Sequence, residues 1–161
     1  MIQSAVISED GRYRYSLTRR WYDRPPLVFC MLNPSTADAE RDDPTIRRCI
    51  NFAKRENAGG IEIVNLMAYR ATSPADCLQQ LDPVGPENYD YLERAARLTW
   101  SVICAWGARA PDWIVKRGVL HLRGLVAGCP QLSCFGTTKD GCPRHPLYLR
   151  SDQPLVEWRP V

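Results

Sequence analysis

Short polar clusters hold the side chains of this chain that could do chemistry. Asn33-Pro34-Ser35-Thr36-Ala37-Asp38 supplies an amide, two hydroxyls and an acid, and Asp42-Asp43-Pro44-Thr45 follows it closely. Asn65-Leu66-Met67-Ala68-Tyr69-Arg70 adds a second amide, a phenol ring and a cation, and Trp106-Gly107 adds an indole. Thr137-Thr138-Lys139-Asp140-Gly141-Cys142-Pro143-Arg144-His145-Pro146 brings two more cations and a histidine. An acid or amide can hold a water for attack, and a histidine can give or take a proton near neutral pH. Asn65 has an amide able to read the donor–acceptor edge of a base. Tyr69 and Trp106 offer rings on which a base stacks, while Arg70, Lys139 and Arg144 suit phosphate. Each piece also has a structural use. Asn33-Pro34-Ser35 suits a turn, Asp42 or Asp43 a helix cap, and either aromatic a place in the core.

The elements that must position these residues are legible from hydrophobic period. Arg12–Leu17 alternates and reads as an N-terminal edge strand, whereas Leu27–Leu32 is a continuous apolar run, as in a strand buried on both faces. Pro44 opens a helix striped by Ile46, Cys49, Ile50 and Ala53, which Gly59-Gly60 ends. Ile61–Val64 is the next strand, Ser73-Pro74-Ala75-Asp76 starts a helix, and Pro86–Thr99 suits another. Ser101–Ala105 makes a third buried strand. A helix from Pro111, open to a break at Gly118, leads to the fourth at Leu132–Phe135. Buried strands alternating with helices imply a parallel sheet covered on both faces, with ligands at the carboxyl ends of its strands. The polar clusters fall at those ends.

Composition bounds the rest. At 161 residues and 18.3 kDa, with 45% hydrophobic residues and mean hydropathy −0.34, the chain suits a single globular domain over residues 1–161. It has no apolar run of the roughly 20 residues that a membrane span needs. The start has no signal-peptide pattern, so a cytoplasmic location without membrane partners is expected. Seven cysteines, an odd number without a Cys-x-x-Cys pair, read as reduced thiols. His121 and His145 are the only histidines and lack ligand spacing, so no zinc and no cofactor is expected. Net charge is +3, carried by 18 Arg against 3 Lys, which is too mild to coat nucleic acid broadly.

The stretches LVFCMLNPSTADAERDDPTIRRC, IEIVNLMAYRATSP, LDPVGPEN, VICAWG and FGTTKDGCPRHPLYL resemble the domain-of-unknown-function family numbered 1643, of bacteria and phages. The match runs over about residues 10–150. Two departures stand out: Tyr89 follows Asn88 where Asp is usual, and Cys142 occupies a place where His is common. More remotely, four blocks occur in the order found in uracil-DNA glycosylases. That resemblance implies a three-layer α/β sandwich with a central four-stranded, mainly parallel sheet, here with an added N-terminal edge strand. It implies that Asn33 positions the attacking water, that Asn65 reads the base, and that the His145 loop stabilises the departing base. The His-Pro-Ser-Pro sequence of typical members is replaced by His145-Pro146-Leu147-Tyr148.

The expected function is therefore recognition of a nucleobase, with hydrolysis of an N-glycosidic bond in DNA or a nucleotide. Asn33, Asp38, Asp42 and His145 are the catalytic candidates. Asn65, Tyr69 and Trp106 would bind the base, and Ser35, Arg70, Lys139 and Arg144 the phosphates. Two alternatives stay open: a non-catalytic nucleotide or modified-base binder, and a nucleotide-processing enzyme holding Mg²⁺ on Asp38, Asp42 and Asp43.

Overall fold

A computed structural model describes residues 1–124 and 130–161. Among these residues seven strands form one sheet: β1 (Ile2–Ile7), β2 (Arg14–Arg20), β3 (Leu27–Met31), β4 (Gly60–Asn65), β5 (Ser101–Cys104), β6 (Gln131–Cys134) and β7 (Val156–Glu157). Their spatial order is β1-β2-β4-β3-β5-β6-β7. The expected four parallel strands are its middle, since β4–β3, β3–β5 and β5–β6 all pair parallel. The sheet is nonetheless mixed and wider than expected. β1, β2 and β7 add antiparallel neighbours on its flanks, so the N-terminal strand predicted at the edge lies one place inside it.

Among the described residues four α-helices connect the strands: α1 (Pro44–Arg55), α2 (Pro74–Leu78), α3 (Asn88–Ala96) and α4 (Asp112–Arg123). Asp43 caps α1 by accepting from the Ile46 N–H at 2.8 Å, with Pro44 in its first turn. The helix ends at Arg55, before the predicted Gly59-Gly60, because Asn57 takes a left-handed φ of 58°. Its stripe of Ile46, Cys49, Phe52 and Ala53 packs with Phe29, Met31, Ile61 and Ile63 on one face of the sheet. Leu92, Ala95 and Ala96 of α3 and Ile114, Val119 and Leu122 of α4 cover the other face, against Val28, Cys30, Val64 and Val102. Gly118 does not break α4. It lets the helix approach the sheet, where any Cβ would meet Leu66.

Cys30, Cys49, Cys77, Cys104 and Cys134 are buried free thiols and Cys142 is a partly buried one, while Cys129 lies outside the described residues. Burial pushes the Cys77 thiol up to about 12. Among the described residues no helix is long and apolar enough to cross a membrane.

β2 carries the one irregularity that matters for the site. Val6 of β1 pairs with Ser16 but Ile7 pairs with Arg14, so Tyr15 is an extra residue. Strict alternation would give Tyr15 the same face as Leu17. Instead Tyr15 stacks on Tyr91 of α3 (ring centroids 5.0 Å), while Leu17 packs on the α1 side. The bulge thereby turns Arg14 toward α1, as bulges re-aim side chains.

Candidate functional site

A cleft of about 680 Å³ opens at the carboxyl ends of β3 and β5. From β3 the chain passes through α1 to β4 on one side, and from β4 it returns to β5 on the other. The crevice beside such a reversal is where open α/β sheets bind ligands. Met31, Leu32 and Asn33 extend from β3 into the cleft, and Trp106, Gly107 and Arg109 follow β5. Asp43 and Thr45 bring the start of α1, the loop after β6 brings Arg144, His145 and Tyr148, and Arg14 comes from β2.

Backbone bonds tie these loops together. Ala105 N–H donates to Cys30 O at 2.8 Å, and Gly107 N–H to Pro143 O at 2.9 Å. Gly107 holds φ at 76°, a conformation that favours glycine, and stands against His145. The rim is a braced structure.

Asn33 is fixed as an acceptor. Its Nδ2 donates to Ala71 O at 2.7 Å and to Pro34 O at 3.2 Å, which leaves Oδ1 as the amide's remaining hydrogen-bonding group. His145 is fixed in the opposite sense. Its Nδ1 accepts from the Leu147 N–H at 3.3 Å, so the neutral ring carries its proton on Nε2. Burial lowers the His145 pKa, against a smaller upward pull from Asp43, and favours that neutral form.

Arg14 is nearly closed off, with 2% of its surface exposed. Nη1 donates to Ala37 O at 2.7 Å, and Nε is buried without a partner. Burial pulls its pKa down to about 10, so it is still a cation at neutral pH. With Arg109 and Arg144 the cleft holds three arginines against one carboxylate, Asp43.

Of the residues expected from sequence, Asn33, Ser35, Trp106, Arg144 and His145 meet in this cleft. Trp106 does so mainly as core, 3% exposed and edge-on to Trp158 at 5.1 Å. The other candidates are held elsewhere. Asp42 pairs with Arg19 at 2.9 Å, and Asp38 accepts from the Glu40 and Arg41 N–H groups at 2.9 Å each, bonds that lower its pKa. Tyr69 packs edge-on to Tyr13 at 5.6 Å, and Arg70 Nη1 donates to Gly11 O at 3.3 Å. Lys139 is exposed and outside the cleft lining.

Asn65 is fully buried beside Met31 in the parallel register, and neither of its amide atoms has a partner. Asp38, Asp42 and Asp43 each serve a different backbone or side-chain donor, and no cluster of three metal-ligating residues forms among the described residues.

The sequence reading missed Arg14, Arg109 and Tyr148. Arg109 and Tyr148 flank motifs that it did single out, Trp106-Gly107 and His145-Pro146, and could have been reached by extending each along its loop. Arg14 gave no such signal, because an alternating edge strand predicts a solvated arginine.

No curated protein and no solved structure matches the chain. The family model described as "Protein of unknown function (DUF1643)" matches residues 14–147, which include the cleft from Arg14 to Leu147, and the chain belongs to that family.

Proposed function

We propose that the cleft binds a nucleotide and hydrolyses the N-glycosidic bond between its base and sugar. One observation carries this reading: an amide fixed as an acceptor, Asn33, and an imidazole fixed as a neutral donor, His145, line the same cleft. In such a hydrolysis the C1′–N bond breaks and its electron pair leaves on the base. The oxygen of a water then bonds to C1′. Asn33 Oδ1 holds that water, and Asp43 takes one of its protons and stabilises the cationic sugar. His145 Nε2–H donates to the charge developing on the base, which solvent then reprotonates. Asn65 reads the base edge once the flexible Met31 side chain is displaced.

The order of the blocks ending at Asn33, Asn65, Trp106-Gly107 and His145, which resembles that of uracil-DNA glycosylases, supports this reading. Helices on both faces of parallel strands suit the three-layer sandwich of those enzymes. The test is base release from a panel of nucleosides, nucleoside monophosphates and uracil-containing DNA. Wild type should release one of the bases, and His145→Ala should slow that release by about 10²–10³. Binding with no release from any substrate would leave a non-catalytic base-binding protein.

A further inference from the structure

Strand β2 buries two arginines and satisfies only one. Arg19 is fully buried, and its Nε donates to Asp42 at 2.9 Å, Nη1 to Thr18 O at 2.9 Å and Nη2 to Asp38 O at 2.7 Å. Arg14, five residues earlier, has a single bond from Nη1 to Ala37 O and an unpartnered Nε. Among the described residues no carboxylate forms an ion pair with it. Taking a cation out of water without a counter-charge costs several kcal/mol. The chain therefore holds a buried guanidinium with no ion-pair contact on the wall of an open cleft, with Asp43 acting on it only from a distance, and a bulge turns it that way.

A planar guanidinium with free N–H groups matches the oxygens of a phosphate or carboxylate in forked geometry. The surroundings favour phosphate. Ser35 and Thr45 offer hydroxyls, and the twelve-residue helix α1 begins on the same wall, where Pro44 has no N–H, that of Ile46 is taken by Asp43 and that of Thr45 is left for an anion. Asp43 opposes an anion there, but its carboxylate accepts from the Ile46 N–H at 2.8 Å. Three arginines less one carboxylate leave two positive charges, near the −1.5 to −2 of a phosphate monoester at neutral pH.

We infer that Arg14 is the receptor for a terminal phosphate, so that the substrate is a free nucleoside monophosphate rather than a nucleotide within a DNA strand. The inference rests on the nucleotide reading above and adds the substrate class. An internal phosphodiester carries one charge and a sugar on each side. A residue 2% exposed in the wall of a cleft is reached more readily by a phosphate that ends a molecule.

The test titrates inorganic phosphate, and matched pairs of deoxynucleoside and deoxynucleoside 5′-monophosphate, into the intact protein by calorimetry. Wild type should bind phosphate and prefer the monophosphate of the recognised base at least about tenfold. Arg14→Met should abolish that preference yet match or exceed wild type in stability without ligand, since it removes an unmatched buried charge. Arg14→Lys should retain part of the preference. Equal affinity for nucleoside and monophosphate, or an undiminished preference in Arg14→Met, would overturn the assignment. Should Arg14→Met not fold, the Arg14 Nε–H resonance of wild type decides: it should shift on adding phosphate, and no shift ends the proposal. Phosphate-dependent binding without base release would sink the glycosidase reading alone. Base release that ignores the phosphate would sink this one alone.

Discussion

The Cδ2 of Leu66 occupies the place where a Cβ on Gly118 would stand. A glycine in mid-helix ordinarily weakens the helix by about 1 kcal/mol relative to alanine. Here the contact outweighs that gain, because Leu66 is itself 1% exposed and has no room to withdraw. Gly118→Ala should destabilise the protein by about 1–3 kcal/mol. Denaturant unfolding of the variant checks this, and a more stable variant would contradict the contact.

Asp42 and Arg19 form the best-buried ion pair among the described residues, with the arginine fully enclosed and the carboxylate 24% exposed. Removing the acid leaves the cation unmatched, so Asp42→Ala should lose about 3 kcal/mol of stability. Where activity is measured, its loss should track the unfolded fraction, because Asp42 does not line the cleft. A large drop in turnover with unchanged stability would return Asp42 to the catalytic set.

His145 makes stability depend on pH in a definite direction. Its folded pKa lies below its ordinary value of 6.5, so the unfolded chain takes up the proton first as pH falls. Stability should therefore decline as pH drops below about 6.5 and level off beneath the folded pKa. His145→Gln should remove that part of the acid dependence, as read from unfolding free energies between pH 7 and 5.

Glu62 works the other way. It is largely buried on β4, and burial raises its pKa above the ordinary 4.5 despite a 2.7 Å bond from the Thr18 hydroxyl. Its charged form is the disfavoured one, so stability is lost as pH rises from about 4.5 through the folded pKa. Glu62→Gln should be more stable than wild type at pH 7, with the gap closing in acid. Thermal melts across that range measure it.

How much of this was legible in the chain depended on how local the signal was. Leu27–Leu32 and Ser101–Ala105 announce buried parallel strands because their runs are almost wholly apolar on both faces, and Ile61–Val64 does so in spite of Glu62. Asp43-Pro44 announces a helix because cap and first turn are chemically distinct. β1 is mostly exposed and β7 is two residues long, so neither carries a pattern. The cleft was half legible. Asn33 and His145 follow buried strands in sequence, whereas the fate of Asp42 was set by Arg19, which is distant along the chain. Asn65 sits at the expected strand end, yet Met31 next to it, not Asn65, lines the cleft.

The extra residue at Tyr15 acts as a one-position frameshift within a strand. Side chains before it are read out on faces opposite to those that counting back from Leu17 would give. The location of Arg14 is thus encoded by chain length and not only by residue type. Deleting Tyr15 would restore strict alternation and place the arginine two positions before Leu17, so it would stay on the α1 side, and the ring lost would be the one stacked on Tyr91. Every side chain that lines the cleft from other elements would remain in the sequence. In this fold the bulge and the spacing between Arg14 and Leu17 belong together: the same spacing in an unbroken strand would leave the cleft without its buried cation.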